Sequence, residues 1–259
     1  MLSGITDLRR AIVRMVIVAA GALLNAPAYP ADDLYDAAVH HPGRAPEDLK
    51  RDESEHPEIL LRLAGIKPGM RAADVLAGDG YYTELLSYLV GPDGHVLMLN
   101  NKAYDDWSPS WEKRLADGRL PNVEHHTVNL EHLDLPSNSL DALLLVKVYH
   151  DLYWVDPTGT WPKMSPGAVL EELRRVLKPG GLLLMVDHSA KVGTGSSAAQ
   201  SIHRIEESYA LREFESHGLR HIASSDVLRR PEDPRNQISF KPPMLGKTDR
   251  FVLVFRKTS

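Results

Sequence analysis

Apolar positions along the chain follow two alternating periods, and the alternation predicts a layered α/β domain. In "MRAADVL" (70–76), "HVLMLN" (95–100), "NVEHHTV" (122–128), "SLDALLLVKV" (139–148) and "LLLMVDH" (182–188), short apolar runs lie between turn formers, as strands require. The run over 139–148 is nearly continuous, the pattern of a parallel strand buried on both faces. Between the runs the spacing becomes helical: Ile59, Leu60, Leu63 and Ile66; Tyr82, Leu85, Leu86 and Leu89; Val169, Leu170, Leu173, Val176 and Leu177. A weakly patterned stretch at 108–117 and a segment near 203–217 are also expected to be helical.

Turn chemistry sharpens the boundaries. Lys67-Pro68-Gly69, Gly91-Pro92-Asp93-Gly94 and Pro179-Gly180-Gly181 are expected to end helices. Ser165 before Pro166 predicts an N-cap, and Glu171 with Arg175 an i,i+4 ion pair. "LRHIASSDVL" (219–228) and "DRFVLVFRK" (249–257) have no helix between them, so they are expected to pair antiparallel. The fold class is α/β: a mostly parallel sheet with helices on both faces. Such sheets bind ligands at the carboxyl ends of their strands, beside the point where strand order reverses.

Composition narrows the function classes. The chain has 259 residues, 43% hydrophobic and 25% charged, with a formal net charge of −5. Its basic residues are scattered, which gives no footprint for nucleic acid. With no cysteine it has no disulfide, thiolate metal site or thiol nucleophile. The N-terminus adds a compartment: Arg9, Arg10 and Arg14 precede the apolar "MVIVAAGALL" (15–24) and the small-residue "NAPAYPA" (25–31). That is the pattern of a secretory signal peptide, with an apolar run too short to span a bilayer. The expected organisation is a signal peptide or anchor over 1–31, a polar surface arm over 32–56 and one domain over 57–259, exported to the periplasm. A cytoplasmic location follows if the first segment is not a signal.

"ADVLAGDGYYTELL" (73–86) predicts a strand turning through Gly78 and Gly80 into a helix, where backbone can approach a ligand closely. A dinucleotide loop would carry a third glycine where Thr83 stands and an acid where Asn100 stands, so NAD is weakly supported. Asp74-x-x-x-Gly78-x-Gly80 resembles motif I of the class I S-adenosylmethionine (SAM)-dependent methyltransferases. "LPSNSLDALLLV" (135–146) and "LEELRRVLKPGGLLLMVD" (170–187) are similar to later blocks of that superfamily. "GDGYYTELLS", "VKVYHDLYW", "VDHSA", "HRIEE" and "GKTDRFVL" resemble a bacterial subgroup of predicted methyltransferases with export signals.

The resemblance covers roughly residues 55–257 and implies a Rossmann-like, seven-stranded, mostly parallel sheet with the last strand antiparallel. It implies SAM as cofactor, with Ala77, Gly78 and Gly80 under its methionine part and Asp74 orienting either the loop or the cofactor's amino group. Asn100 takes the place of the acid that holds the ribose hydroxyls, and Asn129 that of the acid near the adenine. Leu76 stands where the first glycine of the motif belongs, and Val128 where another glycine precedes the adenine acid.

A second group follows the fourth and fifth strands. Tyr149, His150 and Asp151 follow one, and Asp187 and His188 end the other, so neighbouring strands would bring all five to the acceptor side of a cofactor. His150 or His188 could take a proton, with Asp151 or Asp187 fixing the tautomer. The same His150, Asp151, Asp187 and His188 could instead hold a divalent metal. His203 and Glu206 could add to the group or simply start a helix, and His40-His41 lies in the arm. Lys147 within an apolar strand needs a partner, with Asp74 and Asp187 as candidates. Trp154 and Trp161 could wall an acceptor pocket or pin their loop.

The leading reading is a SAM-dependent methyltransferase acting on a small molecule, with no stable membrane span once the signal is removed. The alternative is an exported, non-methylating binding protein on the same fold, for which the His/Asp cluster could hold a metal.

Overall fold

The computed structural model describes residues 33–258, so the signal-type segment over 1–31 lies outside the described residues. Seven strands form one sheet: β1 (Arg71–Val75), β2 (His95–Asn100), β3 (Val123–Thr127), β4 (Leu140–Val146), β5 (Leu177–His188), β6 (Leu219–Ser225) and β7 (Arg250–Lys257). Their spatial order is β3-β2-β1-β4-β5-β7-β6. β1 to β5 run parallel, and β7 lies antiparallel to both β5 and β6. The sheet is thus the Rossmann-like one expected, and strand order reverses between β1 and β4.

The helices are α1 (Asp33–Val39), α2 (Pro46–Glu55), α3 (Pro57–Leu63), α4 (Tyr81–Val90), α5 (Lys102–Trp107), α6 (Ser110–Leu115), α7 (Pro166–Val176), α8 (Ser197–Ile202) and α9 (Glu207–Ser216). The central strands feed two cores, because successive side chains point to opposite faces. Ala73, Leu97, Leu143, Leu145, Leu183 and Phe251 pack with Leu170 and Leu173 of α7 and Phe214 of α9. Ala72, Val96, Ala142, Leu144, Leu184 and Val252 pack on the other face with Leu60 of α3 and Leu85 and Leu86 of α4. Along β7, Phe251, Leu253 and Phe255 enter one core and Val252 and Val254 the other, and only Arg256 of that strand is exposed.

Four local expectations need correction. The stretch read as a polar surface arm contains α1 and α2, whose Tyr35, Ala38, Asp48 and Glu55 are buried. α2 looks polar because its inward residues make ion pairs. The Lys178-Pro179-Gly180-Gly181 stop lies within β5 as an irregularity, with pairing to β4 resuming at Leu182. Ser165 stands at the start of α7 but its hydroxyl makes no cap bond. Arg175 pairs with Glu172 at 2.7 Å rather than Glu171, because its other nitrogens donate to the Leu133 and Leu135 carbonyls.

Candidate active site

The turn after β1 is built from left-handed backbone. Leu76 (φ 53°), Gly78 (φ 60°) and Gly80 (φ 83°) all have positive φ, and Gly80 caps the N-terminus of α4. Leu76 thus stands in a left-handed conformation that glycine adopts at lower cost. That conformation costs an L-residue about 1–2 kcal/mol, which is offset here because the side chain is only 3% exposed in the core.

Asn100 at the end of β2 braces the turn. Its Oδ1 accepts from Gly78 N at 3.0 Å, and its Nδ2 donates to Gly78 O at 3.1 Å and to Asp105 Oδ1 at 3.0 Å. Both amide hydrogens are spent, leaving one acceptor lone pair for a ligand. Next to it, buried Asn101 caps α5 through Oδ1, while its Nδ2 has no hydrogen-bond partner. Asp74 accepts from the Thr83 hydroxyl at 2.7 Å, tying β1 to the first turn of α4. Burial pushes the Asp74 carboxyl up to about 7, against the hydrogen bonds from Thr83 that favour its charged form. Ala77 continues the turn by donating its N–H to the Leu99 carbonyl at 3.3 Å. Asn129 lies just past β3, exposed, where its side chain closes a turn by accepting from Glu131 N at 3.0 Å.

The second group gathers above β4 and β5, as the sheet order requires. Asp187 is fully buried and holds His150 twice: Oδ2 accepts its backbone N–H at 2.8 Å, and Oδ1 lies 2.7 Å from Nδ1. His150 Nε2 is 3.2 Å from Asp151 Oδ1, and His203 Nδ1 lies at the same distance from that oxygen. Burial disfavours the His150 imidazolium, but Asp151 and Asp187 outweigh it and raise its pKa to about 10. Burial alone would also raise Asp151, yet the facing His150 and His203 rings hold it well below the usual carboxylate range. His188 is hydrogen-bonded to the Thr248 hydroxyl at 2.8 Å, and burial drives its pKa well below the ordinary histidine value.

Tyr149 is not part of this group. It is turned to the α9 side, where its hydroxyl is hydrogen-bonded to Glu213 and its ring packs edge-on against Phe214 at 4.9 Å. A side chain next to His150 in sequence must leave the short turn in another direction, and here that direction is the apolar core. Lys147 pairs with neither expected acid. It reaches Glu55 of α2 at 2.6 Å, and Glu55 also receives Arg250 at 2.8 Å. Burial opposes the Glu55 charge, but Lys147, Arg250 and Arg51 hold its pKa at about 2. His41 stacks on Tyr88 at 3.7 Å, away from the cluster.

Tyr104 of α5 joins the two halves, and the sequence carried no sign of it. Its ring lies over Gly78, 3.6 Å from where a Cβ would stand, and its hydroxyl is 3.4 Å from Asp151 Oδ2. Trp161 donates from Nε1 to Asp151 O at 3.2 Å, and Trp154 lies 5.3 Å from the His203 ring, so both tryptophans line the cluster. The strand ends thus have a braced glycine turn on one side and a charged cluster with aromatic neighbours on the other, with Tyr104 between them.

Comparisons with known proteins agree with this layout. The family profile described as a methyltransferase domain matches residues 73–185, from the β1 turn through β5. A SAM-dependent methyltransferase from Aquifex aeolicus superposes with a TM-score of 0.58 at 23% identity, covering 82% of this chain and 93% of that one. The chain has the methyltransferase fold. Geranyl diphosphate C-methyltransferase from Streptomyces coelicolor, solved with Mg2+, geranyl-S-thiolodiphosphate and S-adenosyl-L-homocysteine, gives a TM-score of 0.57 at 15% identity over 86% of this chain and 84% of its own. In sequence, the ubiquinone/menaquinone biosynthesis C-methyltransferase UbiE of Shewanella oneidensis is 30% identical over 160 residues. That match covers 59% of each chain, less than two thirds of the relative's length.

Proposed function

We propose that this protein is a SAM-dependent methyltransferase acting on a small-molecule acceptor. The observation that carries the reading is the β1 turn: three left-handed residues braced by Asn100 at the head of α4, inside the segment that matches the methyltransferase-domain profile. The turn fits the cofactor on its own terms. Asn101 Nδ2 is a buried donor without a partner at the end of β2, and Asn100 retains one free lone pair. Gly78, Gly80, Asn100 and Asn101 would hold the cofactor, with Asp74 keeping the turn in register through Thr83. When bound, SAM supplies an electrophilic methyl group on a sulfonium.

The remaining work falls to the cluster. Asp187 fixes the His150 ring, and Asp151 presents a carboxylate to the same space. Tyr104, Trp154 and Trp161 provide apolar walls that exclude water and favour an in-line approach. The UbiE relatives matched in sequence are named C-methyltransferases and give no support to the non-methylating binding-protein alternative. No described helix is long and apolar enough to cross a membrane. Export belongs to this proposal and rests on residues 1–31; cell fractionation with N-terminal sequencing of the mature chain tests it.

The cofactor is tested by calorimetric titration with SAM, using NAD as control. One equivalent of SAM and no NAD is expected. Gly80→Val should abolish binding, since its new side chain meets Arg114 and Met98 at 3.0 and 3.1 Å in a left-handed residue. Failure of the native chain to bind SAM, or undiminished binding by a folded Gly80→Val protein, overturns the assignment.

A further inference from the structure

Three ligand-type atoms converge above the ends of β4 and β5: Nε2 of His150, a carboxylate oxygen of Asp151 and Nδ1 of His203. Asp151 Oδ1 is 3.2 Å from each imidazole nitrogen, and the ligand atoms of all three residues lie within 4.8 Å of one another. Bonds of about 2.0–2.1 Å to a metal set neighbouring ligand atoms roughly 3.0–3.4 Å apart at octahedral or tetrahedral angles. The two edges that meet at Asp151 already have that length, and a bound ion would displace the proton that His150 Nε2 otherwise shares with Asp151.

Two independent features support a ligand here. The far nitrogen of His150 is held by the buried Asp187 carboxylate at 2.7 Å, which fixes the ring with Nε2 toward Asp151. Metal-bound histidines are oriented in this way by a carboxylate behind them. His203 ends α8 in the left-handed region at φ 51° and ψ 60°, where glycine or asparagine caps a helix at lower cost. Its ring is set between Trp154 and Phe240, at 5.3 and 4.7 Å, with Nδ1 toward Asp151. The neighbouring cations already have carboxylate partners: Arg204 with Asp233, and Lys147 and Arg250 with Glu55.

We propose that His150, Asp151 and His203 bind one divalent first-row transition-metal ion, with Asp187 orienting His150 from behind. The sequence-based set was His150, Asp151, Asp187 and His188, with His203 as an optional addition; here His203 replaces His188, and Asp187 stands behind His150. Two imidazoles and one carboxylate favour ions such as zinc, cobalt or iron over magnesium and calcium, which take oxygen ligands. Three protein ligands leave further positions open, on the side where Asp151 and His203 retain 13% and 16% side-chain exposure. An acceptor oxygen bound there would be polarised and held over the strand ends. That role rests on the methyltransferase reading; the metal site itself does not.

The test uses the full chain, stripped with chelator and titrated with Zn2+, Co2+ and Mg2+ by calorimetry, with Co2+ also followed by visible absorption. One equivalent of Zn2+ or Co2+ is expected, with Mg2+ bound far more weakly. Asp151→Asn and His203→Gln should each weaken Zn2+ binding at least about tenfold, and Asp187→Asn by roughly 10–100-fold. Joint His95→Gln and His126→Gln changes, at the surface row around Glu124, should leave it unaltered. No stoichiometric transition-metal binding overturns the proposal, as does a site indifferent to both Asp151→Asn and His203→Gln in proteins with native circular dichroism. The titration contains no SAM. Metal binding without SAM binding would keep the site and remove its methyl-transfer role, and the reverse result would retire the site alone.

Discussion

Asn100 grips Gly78 at both ends of its backbone from 22 residues away, accepting from its N–H at 3.0 Å and donating to its C=O at 3.1 Å. The side chain that departs from the acidic pattern of the methyltransferases it resembles is therefore the one that holds the turn together. Asn100→Asp, which restores the acid, can keep the first bond but not the second. It also sets a new carboxylate against Asp105, 3.0 Å away. A stability loss of about 2–4 kcal/mol is expected, larger at pH 8 than at pH 5, where the new carboxyl takes up a proton. Urea unfolding at both pH values measures it, and an unchanged midpoint would refute the clamp.

Leu76→Gly probes the same turn from the other side. Glycine relieves about 1–2 kcal/mol of left-handed strain, but removing a buried leucine side chain costs about 2–5 kcal/mol. The net expectation is a loss of roughly 1–3 kcal/mol, with SAM affinity retained because the backbone path is the same. A gain in melting temperature would show that strain, not burial, governs this residue.

Asp74 makes stability depend on pH. Its carboxyl is raised from 3.8 to about 7 in the folded protein, so the folded state holds a proton the unfolded state has lost. Its contribution is full below about pH 4 and is lost as pH rises through about 7. Asp74→Asn keeps an acceptor for Thr83 and removes that titration. The difference in unfolding free energy, wild type minus variant, should fall between pH 4 and 7 and level off above; a flat difference would disprove the buried proton.

Glu55 fastens α2 to the sheet through Lys147 and Arg250, 92 and 195 residues away in sequence. Glu55→Ala leaves both cations without it and is expected to cost about 3–5 kcal/mol, as for other broken buried pairs. Glu58→Gln, on the half-exposed side of α3, should change little. Chemical denaturation compares them, and equal stabilities would mean that the N-terminal helices do not depend on this contact.

Much of the fold was legible because its signals are local. Strand and helix periods placed β2 at His95–Asn100 and the buried face of α4 on Tyr82, Leu85, Leu86 and Leu89. Adjacency of β4 and β5 then put His150, Asp151, Asp187 and His188 at one edge. The misses share one cause. Lys147 was given two acids from its own sheet, while its partner came from a helix read as a solvated arm. Tyr149 was grouped with its sequence neighbour, although the turn after β4 sends the two side chains to different layers. Tyr104 lies on a short helix whose pattern points nowhere in particular, and His203, read only as an optional addition to the group, caps the end of another.

The sequence by itself determined the layered sheet, the glycine turn and the strand ends where polar residues collect, because apolar period and turn chemistry act over a few neighbouring residues. Only the tertiary structure decided that Asn100 would be spent on the turn, that Tyr104 would lie between Gly78 and Asp151, and that His203 would complete the His150–Asp151 group. Those pairings are chosen by how helices settle across the sheet edge. They bring together side chains tens of residues apart, at separations no sequence period encodes.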